Sequence, residues 1–133
     1  MNEDYISFET AKLAKLSGFK WYVNHAYFHH SIDAMPVLRS YLEYANFEEY
    51  YFSCCSQTVL AKWIRERFNL LIRMYFNEEK LKFEPCYSII NVKTGICTGI
   101  SAEEMEFDSF EEANEESLKR TLRFIIEKKI HLK

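Results

Sequence analysis

The spacing of apolar residues in the second half of the chain changes period twice, which rules out an all-helical and an all-strand fold alike. Over residues 57–68, Leu60, Trp63, Ile64 and Phe68 recur at steps of three and four, with Lys62, Arg65 and Glu66 off the stripe. That pattern predicts an amphipathic helix with Ser56 as its N-cap. The period then falls to two. Ile72, Met74 and Phe76 alternate with Arg73 and Tyr75, and after Asn77-Glu78-Glu79-Lys80 the residues Leu81, Phe83, Tyr87 and Ile89 alternate with Lys82, Glu84 and Ser88. This is an antiparallel hairpin with one face on a core. Pro85 falls inside its second strand and predicts an edge position or a bulge. The strand ends near Val92, and Thr94-Gly95 begins a loop. Helical spacing returns after Ser109-Phe110-Glu111-Glu112, which has the form of a capping box. Leu118, Leu122 and Ile125 then line one face, with Ile126 beside it, and predict a helix over residues 110–129.

An earlier helix is expected over residues 8–17. Ser7 can cap it, Phe8, Ala11 and Leu16 supply apolar positions, and Gly18 can take the left-handed conformation that closes a helix. The phrases Ser7-Phe8-Glu9 and Ser109-Phe110-Glu111 are alike only as helix starts, not as a repeat. The expected fold is therefore α+β, with three helices packed on a small, mainly antiparallel sheet. A chain of 133 residues with 3 Gly and 2 Pro fits one domain over residues 1–133 without a flexible linker.

Residues 20–52 are the least regular. Ten aromatics fall between Trp21 and Phe52, and aromatics make up 17% of the chain. Residues 21–28 and 50–54 read as extended. Val37, Leu38, Tyr41, Leu42 and Ala45 have helical spacing, with Pro36 acceptable in a first turn.

Several classes of chemistry find no pattern here. The N-terminal residues are acidic and lack the basic and apolar runs of a signal peptide, and no apolar run approaches the roughly 20 residues that span a bilayer. A cytoplasmic location, with no membrane contact, is the expectation. Cys54, Cys55, Cys86 and Cys97 form no Cys-x-x-Cys pair and read as reduced, mostly buried thiols. No glycine-rich phosphate loop, nucleophile elbow or zinc-protease signature occurs. His25, His29 and His30 could share a metal if the stretch were helical, whereas on a strand His25 and His29 stand two pleats apart. No catalytic residue, cofactor or metal is expected.

The charges are segregated. Residues 101–117 carry eight acids and no base, while residues 118–133 carry six bases against Glu127. Acids at the start and bases at the end of the last helix complement its dipole. The second helix and the hairpin lean positive through Lys62, Arg65, Arg67, Arg73, Lys80 and Lys82. A helix followed by a ribbon is the geometry of a winged-helix reading head. Against that, the chain is −3 overall, so counterion release would rest on one patch.

The opening Ile6-Ser7-Phe8-Glu9-Thr10-Ala11-Lys12-Leu13, the phrase Lys62-Trp63-Ile64-Arg65-Glu66, and the closing Phe110-Glu111-Glu112-Ala113 followed by Leu118 resemble a group of small uncharacterised proteins. These occur in Bacteroides-type gut bacteria and in their phages and mobile elements. The resemblance covers both ends and the second helix with its hairpin. It departs at residues 20–52, where those proteins carry a shorter polar hairpin. It implies a phage or mobile-element accessory protein and assigns no residue a catalytic role.

The function favoured by these features is that of a non-enzymatic accessory or protein-interaction protein. Tyr41, Tyr44, Tyr50 and Tyr51 are its expected contact surface, for self-association or for another protein, because ten aromatics exceed what one small core needs. The alternative is nucleic-acid binding through Lys62, Arg65, Arg67 and Arg73.

Overall fold

Helix α1, Phe8–Leu16, begins where the Ser7 hydroxyl accepts the Thr10 amide at 3.2 Å. It closes in a Schellman arrangement. Phe19 N–H donates to the Ala14 carbonyl and Gly18 N–H to that of Lys15, with Gly18 at φ +98°. These observations come from a computed structural model, which describes residues 4–31, 34–40 and 45–128. The described residues give an α+β fold of three α-helices and several small antiparallel sheets. The chain divides into two units, residues 1–56 and 57–133.

In the first unit, strands β1 (His25–Phe28), β2 (Val37–Ser40) and β3 (Tyr51–Cys54) form an antiparallel sheet in the order β2-β1-β3. The buried side of α1 is small, Thr10, Ala11 and Ala14, so the helix can lie close to the sheet. Phe8 meets Phe52 and Tyr27 edge-on at 5.3 and 5.5 Å. Leu16, expected on the apolar side, is instead 73% exposed. Two polar side chains fix the loop before β3. Buried Asn46, in the 3-10 turn Ala45–Phe47, donates to the Phe19 carbonyl and accepts the Ser53 amide, both at 2.7 Å. The Lys15 ammonium donates to the carbonyls of Glu48, Glu49 and Tyr51.

The helical spacing at residues 37–45 does not produce a helix. Val37–Ser40 is the outer strand of the sheet, and Tyr41 and Tyr44 lie outside the described residues. All four residues of β2 are exposed, so their apolar spacing reports no buried helical face. Pairing with β1, in the register Tyr27↔Leu38 and Phe28↔Val37, sets the backbone instead.

In the second unit, α2 (Gln57–Phe68) buries the expected stripe of Leu60, Trp63, Ile64 and Phe68. It stops at Asn69, which takes φ +61° and returns its amide to the Arg65 carbonyl at 3.0 Å. The hairpin that follows is broken in two. Strand β4 (Leu70–Ile72) pairs with β7 (Ser88–Asn91), and β5 (Tyr75–Asn77) pairs with β6 (Lys82–Glu84). Between the two ladders, two residues on one side face four on the other, Pro85 among them. A proline cannot donate to a ladder, and the interruption is the expected bulge enlarged. Strand β8 (Cys97–Gly99), for which the sequence had given only a loop, adds to the far edge of β7.

Helix α3 (Phe110–Glu127) starts at Ser109, whose hydroxyl accepts the Glu112 amide and donates to the Glu112 carboxylate. It buries Ala113, Ser117, Leu118, Thr121, Leu122 and Ile125. Gln57 at the start of α2 donates to the Glu111 carbonyl and the Glu115 carboxylate and accepts from Asn114, so a polar clasp joins the two helix starts. No helix among the described residues is long and apolar enough to cross a membrane.

Candidate interaction surfaces

The aromatic segment of the first unit leaves much of its apolar surface in solvent. Before and within β2, Met35 is 82%, Val37 47% and Leu38 44% exposed, and in the segment leading into β3, Phe47 is 64% and Tyr50 46% exposed. Tyr51, by contrast, is half-buried, its ring 5.1 Å from Phe28. Phe28 carries the Arg39 guanidinium at 4.5 Å and stacks on His30 at 5.3 Å, and Tyr50 meets His30 edge-on. These contacts hold β2 and the Tyr50 loop in place around one ring.

The three histidines take structural partners. His25 shares a hydrogen bond with the Tyr5 hydroxyl at 3.1 Å, His29 Nε2 lies 2.9 Å from the Ala34 carbonyl, and His30 is on Phe28. Among the described residues no three His, Cys, Asp or Glu side chains gather to hold a metal. All four cysteines are free thiols; Cys54, Cys55 and Cys86 are buried and Cys97 is exposed. Burial pushes the Cys86 thiol up from its ordinary range, and its Sγ donates to the Ser88 carbonyl. That is the reverse of what a nucleophilic thiolate needs.

Three lysines of α2 and the hairpin stand beside acids. Lys62 lies 3.9 Å from Glu66, Lys80 binds Glu106 at 2.8 Å, and Lys82 binds Asp108. Hydrogen bonding to those carboxylates raises the pKa of Lys80 and Lys82. Arg65 is exposed, Arg67 half-buried, and exposed Arg73 reaches the Cys97 sulfur at 3.8 Å. The acidic stretch after β8 is thus tied to the hairpin, and Phe107 pairs with Phe83 in a two-way backbone bridge.

Arg120, which the sequence placed simply among the terminal bases, is 4% exposed. Its guanidinium donates to the Glu116 carboxylate and to the carbonyls of Cys86 and Glu103, and it lies over the Tyr87 ring. One signal could have revealed it. It is Glu116, one helical turn before Arg120 and able to pair with it; the Leu118–Leu122 stripe gives no cue, because Arg120 lies on the other side of the helix from both leucines. Near it, Asn77, Glu84, Tyr87, Ser101, Met105 and Glu106 line much of an open cleft of about 540 Å³. The nearby Glu84 and Glu104 carboxylates help hold the Tyr87 phenol protonated, after the larger effect of burial.

No family model, no curated protein and no solved structure matches the chain.

Proposed function

We propose that this is a non-enzymatic interaction protein, an accessory factor of the phage or mobile-element kind, which binds a protein partner along the outer edge of its first sheet. The observation that carries the reading is β2. It is an edge strand exposed at all four residues, and Met35, two residues before it, is exposed as well. An edge strand offers alternate N–H and C=O groups to an incoming strand, and apolar side chains beside it supply the contact area. Of the expected tyrosines, Tyr50 is exposed just before β3, at the other end of the sheet order, while Tyr51 is half-buried beside Phe28.

Nucleic-acid binding has less support. Lys62, Lys80 and Lys82 stand beside acids, which offset part of the positive charge that attraction to phosphates would need. A gel-shift series against salt tests it: a steep loss of binding with salt would favour it over the protein-contact reading.

The direct test places a photo-crosslinking residue at Leu38 and, as a control, at Leu16, which is exposed on α1, the helix that packs on β3 at the other end of the sheet order from β2. A discrete product at Leu38 and none at Leu16, in cells that normally make the protein, is the expected result. Equal products at both positions, or none at Leu38, would sink the reading.

A further inference from the structure

The β5–β6 hairpin turns an aromatic face outward. Phe76 and Phe83 are cross-strand partners with rings 4.9 Å apart, and Phe110, the first residue of α3, meets Phe83 edge-on at 6.2 Å. Phe76 and Phe110 are each 48% exposed, and Leu81, two residues before Phe83, is 71% exposed. The face is not loose: the Phe83–Phe107 bridge and the pairs of Lys80 with Glu106 and Lys82 with Asp108 fasten the hairpin from one side. Contiguous apolar surface on a braced element marks a contact site more than a random exposed side chain does.

Leu81 adds an independent observation. Two turns among the described residues share one design. In each, an asparagine side chain accepts two following amides: Asn77 takes those of Glu79 and Lys80, and Asn91 takes those of Lys93 and Thr94. Four residues after the asparagine the backbone enters the left-handed region. The second turn uses Gly95 there, at φ +76°, and the first uses Leu81, at φ +56°. Glycine takes this conformation at no steric cost and leucine does not. A leucine that is strained in the backbone and exposed at the side chain is poorly explained by folding.

The charge around the face selects its partner. Glu78, Glu79, Glu111 and Glu112 are exposed, and no base among the described residues pairs with them; the local lysines are already committed to Glu106 and Asp108. A second copy of this face would bring like charge to like. We propose that the Phe76–Phe83–Phe110 face, with Leu81 at its edge, is a second docking surface and that its partner is a basic protein segment bearing apolar side chains. The proposal is independent of the β2 edge.

The test uses the full chain and a labelled amphipathic helical peptide with leucines on one face and lysines on the other, read by fluorescence anisotropy. Its comparators are the peptide with glutamate for lysine and an oligolysine without leucine. The lysine–leucine peptide should bind and both comparators should bind at least about tenfold more weakly. Phe76→Ser/Phe110→Ser should lower affinity by a similar factor, and Leu16→Ser should leave it unchanged. Leu81→Asn should raise the melting temperature while weakening binding, and it keeps the test valid if the double variant fails to fold. Oligolysine binding as tightly as the amphipathic peptide, or a folded double variant binding like the parent, would overturn the proposal. So would a parent that dimerises in sedimentation through Phe76 and Phe110, or a lower melting temperature for Leu81→Asn.

Discussion

The backbone amide of Cys86 donates to the Ser117 hydroxyl at 2.8 Å, and that hydroxyl donates in turn to the Ala113 carbonyl. The irregular segment introduced by Pro85 is thus pinned to α3 through one oxygen. Ser117→Ala leaves a buried N–H without its acceptor, at a cost of about 1–3 kcal/mol. Urea denaturation should show the midpoint falling with an unchanged slope. A midpoint equal to the parent's would mean that another acceptor takes over.

Arg120 answers the carbonyls of Cys86 and Glu103 and the carboxylate of Glu116 at once. Arg120→Met keeps the bulk and removes all three. The loss should be about 3 kcal/mol, the low end for a broken buried pair, because Lys119 remains 3.6 Å from Glu116. Arg120→Lys should recover little, since an ammonium cannot reproduce the planar fork. Hydrogen exchange should show lost protection at residues 101–106; protection unchanged there would refute the clamp.

Trp63 is 2% exposed and packs edge-on against Phe68 at 5.3 Å. Trp63→Ala should cost about 3–5 kcal/mol and lower the melting temperature clearly. Full stability in that variant would contradict its place in the core.

Alkaline pH should weaken the fold partly through Cys86. Burial raises its thiol pKa above the ordinary 9.0, so between that value and the raised one the unfolded chain sheds a proton that the native chain keeps. The stabilisation is full below the ordinary value and is lost as pH climbs through the raised one. Tyr87, also raised by burial, adds a loss of the same sign beginning near 10.0. Cys86→Ser retains a donor for the Ser88 carbonyl and should flatten the earlier part of the decline in urea midpoint against pH. Parallel curves for the two proteins would rule the thiol out.

The helices were legible from two kinds of signal, caps at α1 and α3 and buried stripes at α2 and α3, whereas the expected stripe of α1 failed at Leu16. Ser7, Gly18 and Ser109 all do what their residue types predict, and α2 ends at Phe68 as its spacing requires. The hairpin was legible in its period, and Pro85 foretold the break, but the exchange of partners around that break depends on Ser117 and Arg120, far along the chain. Strand β2 was misread since exposed positions carry no burial period at all. Of the expected contact tyrosines, Tyr50 is exposed whereas Tyr51 packs on Phe28, and alternation on a strand cannot separate them without the register. The Phe76–Phe83–Phe110 face escaped notice for a related reason: alternation says which residues share a face, not which face meets the core.

The bare edge of β2 also bears on how the protein behaves in a crowded solution. Strand Val37–Ser40 has a single charge, Arg39, and that charge lies over the Phe28 ring. Charged side chains on an edge strand act as gatekeepers against runaway stacking of like chains. With Arg39 as the lone charge of the strand, Arg39→Leu should make this exposed edge more prone to pair with its like in concentrated solution, as light scattering over time would show.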